Sequence, residues 1–107
     1  MQTPLPSNES SRRIRIITHQ GKQILIVDFS NCAADRIEEI VRKVPEVVTS
    51  HPRGSVLILS DFTGASFNDE AIRAMKEAAV FDKPYIKKTA WLGAAYIPSE
   101  FIDMLIC

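Results

Sequence analysis

The chain has 107 residues, of which 46% are hydrophobic and 24% are charged, a balance typical of one folded domain rather than a disordered segment. Thirteen Lys and Arg residues offset thirteen Asp and Glu residues, and no basic block occurs, so the charge footprint of a nucleic-acid-binding protein is missing. We therefore expect no nucleic-acid partner.

Cysteine usage and hydropathy restrict the setting further. Cys32 and Cys107 lie far apart in sequence, and nothing beside them suggests a disulfide framework or a zinc site, so a reducing, cytoplasmic setting is expected. The N-terminus lacks the apolar core of a signal peptide, and no apolar run is long enough to span a bilayer. Residues 1–12 are predicted to form a flexible tail, which leaves residues 13–107 as a single domain.

Two β-rich runs open that domain. Residues 14–18 and 23–29 flank the sequence His19-Gln20-Gly21-Lys22, where Gly21 can supply the positive φ that a tight hairpin needs. The second run is continuously apolar, which predicts an interior strand, whereas Arg13 and Arg15 mark the first as an edge strand.

A helix is predicted next, capped by Ser30 or Asn31. Pro45 falls inside its pattern and should kink the helix or divide it into two pieces. The apolar residues that recur at helical spacing, and so define its buried face, are Ile37, Ile40, Val41, Val44 and Val48.

Residues 56–59 form a short, unbroken apolar run, which predicts a strand buried on both faces. A polar loop follows, and Asn68 is placed to cap a helix whose first turn carries Asp69 and Glu70, where the helix dipole favours negative charge. Partners and ligands of open α/β sheets tend to bind at the carboxyl ends of strands. The candidate partner-binding residues are therefore Asp61, Thr63, Gly64, Ser66, Asn68, Asp69 and Glu70.

The end of the chain adds one strand and one helix. Lys83-Pro84 should end the helix that starts at residue 69, residues 85–92 read as a strand, and Gly93 as a turn. Pro98 and Ser99 open a last helix that should bury its apolar face against the domain or against a second copy, so a homodimer is expected. That face consists of Phe101, Ile102, Leu105 and Ile106.

The predicted order is thus β-β-α-β-α-β-α. Right-handed crossovers then give an α/β domain with a mixed, mostly parallel sheet, antiparallel only at its first strand, and covered by helices.

A short internal echo suggests two roles for a pair of aspartates. Asp28-Phe29-Ser30 and Asp61-Phe62-Thr63 both stand where a strand ends. The pair could hold Mg²⁺ for phosphoryl transfer, with Lys83, Lys87 or Lys88 neutralising charge. Alternatively, each aspartate accepts backbone hydrogen bonds within its own turn. The second role is favoured, because a third ligand and a phosphate-binding glycine loop are missing.

No group of nucleophile, base and orienting residue can be assembled from the sequence, so no catalytic residue, metal site or cofactor is predicted. His19 and His51 fall in loops, and Cys32 is expected to be a buried thiol. Trp91, Tyr85 and Tyr96, near the last strand, could line an apolar pocket or simply pack the core and the rim of the domain.

The element order, together with residues 54–70 (GSVLILSDFTGASFNDE) and Lys83-Pro84-Tyr85, resembles the STAS superfamily. More narrowly, it is similar to the bacterial stand-alone STAS/SEC14-like, or SpoIIAA-like, proteins, over about residues 13–106. In the antagonist branch of that family, Phe-x-Asp-Ser-Ser-Gly opens the corresponding helix and a serine is phosphorylated. Here Phe67 and Asp69 are kept, Glu70 and Ala71 replace the serines, and Ile72 replaces the glycine.

The resemblance implies a non-enzymatic regulatory module that presents the strand-end loop and the following helix start to a regulatory protein partner. The SEC14-like relationship implies an alternative, a binding protein for a small apolar or lipid-like ligand, with a pocket between the sheet and the helices near Trp91, Tyr96 and Phe101. A Mg²⁺-dependent phosphoryl-transfer enzyme at Asp28 and Asp61 is the third hypothesis.

Overall fold

The computed structural model of the protein describes residues 12–99, which form an α/β domain on one mixed sheet. Its strands are β1 (Ile14–His19), β2 (Lys22–Asp28), β3 (Val56–Asp61) and β4 (Ile86–Leu92). Its helices are α1 (Ala34–Val41), α2 (Val44–Val48) and α3 (Asp69–Asp82), and 3-10 turns occupy Lys83–Tyr85 and Ala94–Tyr96. The predicted α/β class is confirmed, while residues 1–11 of the predicted tail and residues 100–106 of the predicted last helix lie outside the described residues.

The sheet has the strand order β1-β2-β3-β4, with β1 antiparallel to β2 and the other neighbours parallel. Gln20 and Gly21 form the β1–β2 turn with φ of 53° and 77°, because a two-residue hairpin turn of this type needs positive φ at both positions. The predicted hairpin, the edge position of the first strand and the interior position of the second are all confirmed.

The predicted apolar face packs against the sheet as one continuous core. Ile37, Ile40, Val41, Val44 and Val48 are all buried, and they join Leu25 and Val27 of β2 in one cluster. Pro45 stands in the first turn of α2, where a missing backbone N–H breaks no helical hydrogen bond. The prediction that Pro45 divides the helix is confirmed, because α1 ends before it and α2 starts beside it.

The prediction that Ser30 or Asn31 caps the first helix, α1, is wrong. α1 begins after Ala33, whose side chain makes no cap hydrogen bond. The Ser30 amide instead donates to Asp28 Oδ1 at 2.9 Å, and Asn31 adopts a left-handed φ of 57°, so both residues belong to the turn after β2.

The helices lie on one face of the sheet. Both crossovers proceed in the same direction through the strand order, so right-handed connections place α1, α2 and α3 on that face, where α3 contacts α1 and α2. The prediction that β3 is buried on both faces is therefore wrong: Leu57, Ile58 and Leu59 are half-buried. Within residues 12–99, no helix is long and apolar enough to cross a membrane.

Candidate functional site

The predicted partner-binding residues lie at the edge of the sheet where the three parallel strands end. Asp28 of β2 pairs in register with Asp61 of β3, which pairs in turn with Leu92 of β4. We call this edge the rim and define it as residues 28–32, 61–70 and 92–96. The register therefore brings the two Asp-Phe-Ser/Thr turns of the sequence side by side.

Backbone hydrogen bonds join the rim segments that follow β2 and β3. The Phe29 amide donates to the Asp61 carbonyl and the Asn31 amide to the Thr63 carbonyl, both at 2.8 Å. The Ser66 amide donates to the carbonyl of buried Cys32 at 2.9 Å. Because parallel pairing thus continues past the strand ends, these two segments form one rigid unit.

The segment after β4 is attached to the same unit. The Phe62 amide donates to the Leu92 carbonyl at 2.9 Å. Gly93 has φ of +68°, and a Cβ built on it would stand 2.6 Å from the Thr63 backbone nitrogen. Only a glycine permits this approach, because a side chain would be strained by the left-handed backbone and would also overlap the neighbouring turn.

Beneath the rim, two phenylalanines explain part of the internal echo. The rings of Phe29 and Phe62 stack with centroids 4.8 Å apart and an interplanar angle of 6°, and both side chains are buried. Each stands one residue after the paired aspartates. The echo therefore has a packing role, since it places two aromatic rings in contact between adjacent strands.

The aspartates of the echo serve their own turns. Asp28 Oδ1 accepts from the Ser30 amide at 2.9 Å, and Asp61 Oδ1 accepts from the Thr63 amide at 3.0 Å. This is the turn role that the sequence favoured over metal binding. Within residues 12–99, no group of three or more His, Cys, Asp or Glu is arranged to hold a metal ion.

The pKa of the Asp28 carboxyl agrees with this role as a hydrogen-bond acceptor in the turn. Burial raises the pKa of its carboxyl, but the hydrogen bonds from Ser30 and the charges of Arg13 and Arg15 lower it more, so the net pKa lies below its ordinary value. Arg13 Nη1 lies 3.8 Å from Asp28 Oδ1 and donates to the Ser30 carbonyl at 2.9 Å. Arg13 thus fixes the edge strand to the rim.

The start of α3 presents the acidic part of the rim. Asn68 Oδ1 accepts from the Ala71 amide at 2.8 Å, which confirms the predicted N-cap, and Asp69 and Glu70 follow in the first turn. Five of the seven predicted partner-binding residues are exposed, and Asp61 and Gly64 are half-buried. The exposed five are Thr63, Ser66, Asn68, Asp69 and Glu70.

The rim has five exposed residues that were not among the predicted partner-binding ones: Asn31, Leu92, Ala94, Ala95 and Tyr96. Leu92 and Tyr96 are each 51% exposed and add apolar surface, and Asn31 is exposed beside Gly64. The register of β4 that brings Leu92 to the rim is not readable from sequence. Asn31 could have been identified as a turn residue from its type, because asparagine tolerates the left-handed conformation better than most residues.

A second feature is an apolar groove between α3 and β4, with a volume of about 440 Å³. Ile58, Trp91 and Ile86 line it from the sheet, and Met75 and Ala78 line it from α3. Of the predicted pocket residues, Trp91 therefore lines the groove, Tyr96 is exposed at the rim, and Phe101 lies outside the described residues.

Asp82, at the end of α3, is the unexpected residue of the groove. The residue is 8% exposed, and its Oδ1 atom is buried without a hydrogen-bond partner in the part of the chain described. Burial raises the pKa of this carboxyl to about 6. Lys83, Lys87 and Lys88 are exposed at the mouth of the groove, so they do not converge with Asp28 and Asp61 as a phosphoryl-transfer site requires.

The two histidines belong to neither feature. His19 is exposed at the end of β1, at the edge of the sheet opposite the rim. The Nδ1 atom of His51 lies 3.0 Å from the Val47 carbonyl oxygen and 3.2 Å from Ser50 Oγ, so it closes the end of α2.

Comparisons with protein-family models, curated proteins and solved structures found no match to this chain.

Proposed function

We propose that this protein is a non-enzymatic regulatory module of the STAS type that presents its rim to a regulatory protein partner in the cytoplasm. The observation that carries the proposal is the combination of a rigid backbone with exposed side chains. Hydrogen bonds connect the ends of β2, β3 and β4, yet Thr63, Ser66 and Asp69 point to solvent. A surface of this kind loses little conformational entropy on binding.

The chemistry of the rim indicates the character of the partner. Asp69 and Glu70 are exposed in the first turn of α3, and the rim also holds the half-buried Asp61. Opposite charges steer association and determine register across protein interfaces, so the proposed partner carries a basic patch. Leu92 and Tyr96, each 51% exposed, supply apolar contact area on the same rim.

Glu70 gives the proposed binding surface a fixed negative charge. In the resembled family, this position holds one of the serines of the phosphorylation motif. A carboxylate here keeps the helix start permanently acidic, although it carries less charge than a phosphate. The module would accordingly bind its partner without waiting for a kinase.

A capture experiment tests this proposal. Wild-type protein, the rim variant Asp69→Lys/Glu70→Lys and the control variant Glu46→Lys/Glu77→Lys would be immobilised and exposed to lysate from the source cells. Glu46 and Glu77 are also exposed, but they lie on α2 and in the body of α3, away from the rim. We expect a partner retained by wild type and by the control and lost by the rim variant; equal retention by all three would contradict the proposal.

The ligand-carrier alternative would use the groove, because its lining is largely apolar and includes Trp91. Asp82 weighs against a purely apolar guest, since its buried Oδ1 would remain unpaired beneath hydrocarbon. The expected homodimer also stays a prediction, because it was based on residues that lie outside the described range.

A further inference from the structure

The groove between α3 and β4 holds a polar atom whose hydrogen-bonding capacity the fold leaves unused. Asp82 is one of the residues that line the groove, and the residue is 8% exposed. Its Oδ1 atom is buried and has no hydrogen-bond partner among the described residues. Burying a polar group without a hydrogen bond costs stability, so an acceptor of this kind is expected where a bound molecule supplies the missing donor.

The rest of the lining determines the size and polarity of such a molecule. Ile58, Ile86 and Trp91 line the groove from the sheet, and Met75 lines it from α3. The volume of about 440 Å³ lies within the range of sites that bind small organic molecules. Because apolar surface gains free energy when it leaves water, most of the guest is expected to be apolar.

The charges of the groove distinguish between the donors that the guest can carry. Lys83, Lys87 and Lys88 also line the groove, and all three are exposed. Their positive charges oppose the entry of a cationic amine but not of a neutral hydroxyl group. An ionised carboxylate on the guest has no proton to donate and would be repelled by an ionised Asp82. A neutral hydroxyl group is therefore the donor that suits both the lysines and Asp82.

We propose that the groove binds a small apolar molecule that carries a hydroxyl group, which donates a hydrogen bond to the Asp82 carboxylate while the apolar body packs against Trp91 and Met75. The χ2 torsion of an aspartate is soft, so the carboxylate can turn an oxygen toward the guest. Within residues 12–99, the lining of the groove includes none of the exposed rim residues. The site is therefore separate from the proposed partner surface, and each can be tested without the other.

Two probes with the same alkyl chain test the role of the hydroxyl group: n-octanol, and methyl octyl ether, which accepts hydrogen bonds but donates none. Trp91 is the single tryptophan of the chain and lines the groove, so its fluorescence reports binding. We expect saturable binding of n-octanol that is roughly tenfold tighter than that of the ether, because the ether leaves Asp82 unpaired. A purely apolar site would prefer the ether, which is the more apolar molecule. No saturable response to n-octanol, or binding of the ether that is equal or tighter, would overturn the proposal.

A matched pair of variants tests whether Asp82 is the acceptor. Asp82→Leu removes the acceptor and keeps a side chain of similar size, and it is expected to fold because it removes a buried polar atom without a partner. Asp35→Leu removes an exposed carboxylate of α1 that does not line the groove. The preference for n-octanol over the ether should disappear in Asp82→Leu and persist in Asp35→Leu. A preference that survives in Asp82→Leu, or that is lost in both variants, would overturn the proposal.

Two measurements on the wild-type protein keep the proposal testable if Asp82→Leu fails to fold. In carbon NMR spectra, n-octanol should shift the resonance of the Asp82 carboxyl carbon and the ether should not; the same response to both probes would overturn the proposal. n-Octylamine should bind several-fold more weakly than n-octanol, because the three lysines repel its charge. Tighter binding of the amine would overturn the proposal in favour of a cationic guest.

Discussion

Gly93 lies against Thr63 so closely that a methyl group on Gly93 would stand 2.6 Å from the Thr63 backbone nitrogen. The contact joins the segment after β4 to the segment after β3. It is backbone against backbone, so neither side can move away by changing a rotamer. The rim therefore depends on a residue that carries no functional group.

Two glycine substitutions distinguish the effect of this contact from the strain of placing a side chain on a left-handed backbone. Gly54 has φ of +72°, similar to that of Gly93, but an added Cβ there would meet nothing within 4 Å. We expect Gly54→Ala to lower the free energy of unfolding by about 1 kcal/mol through left-handed strain alone. Gly93→Ala should cost several kcal/mol, because the overlap with Thr63 adds to the same strain. Urea denaturation would measure both, and equal losses would show that the rim segments are not in contact.

Asp82 should make the protein less stable at neutral pH. Its pKa is raised to about 6 in the folded state from an ordinary value of 3.8, so the ionised form is disfavoured by folding. The penalty is complete above the folded pKa and disappears as pH falls toward the unfolded value. We expect Asp82→Asn to stabilise the protein by up to about 3 kcal/mol at pH 8 and to have little effect near pH 3.5.

Thermal unfolding of wild type and Asp82→Asn across this pH range checks the prediction, with Glu77→Gln as an exposed control. A gain that persists unchanged at acid pH would show that the effect of Asp82 does not come from its charge.

Asp28 should behave in the opposite way. Its pKa lies below the ordinary value in the folded state, because the Ser30 bonds and Arg13 outweigh burial. Its stabilising contribution is therefore present above the unfolded pKa of 3.8 and is lost as pH falls through the lower folded value. We expect Asp28→Asn to destabilise the protein at pH 7 by roughly 1 kcal/mol or less, since the ion pair is partly exposed.

Chemical denaturation at a series of pH values checks this prediction. The difference in unfolding free energy between wild type and Asp28→Asn should shrink below the unfolded pKa of 3.8. Arg13→Gln serves as the partner variant, and its loss should follow the same pH dependence. If neither variant is less stable than wild type at pH 7, Arg13 and the Asp28 turn do not hold β1 at the rim.

Much of the fold could be predicted because local patterns and global packing agree. The unbroken apolar run of β2, the helical spacing of Ile37 and Ile40, and the Asn68 cap each indicated the element that the structure shows. The echo of Asp28 and Asp61 was visible in sequence, as was its turn role. The capping of α1 was not, because Ser30 and Asn31 were equally able to serve the turn before it.

Two features depended on tertiary register and could not be predicted from sequence. Leu92 reaches the rim only because β4 pairs with β3 at one offset, and the burial of Asp82 at the end of α3 depends on tertiary packing. The half-buried state of β3 has the same origin, since strand periodicity does not reveal that helices cover a single face.

Site-specific photo-crosslinking in cells tests whether the rim contacts another protein. A photoreactive benzoylphenylalanine would replace exposed Ser66 at the rim in one protein and exposed Lys22, in the hairpin at the opposite edge of the sheet, in another. We expect a discrete adduct with another protein from position 66 and none from position 22. No adduct from position 66, or the same adduct from both positions, would contradict it.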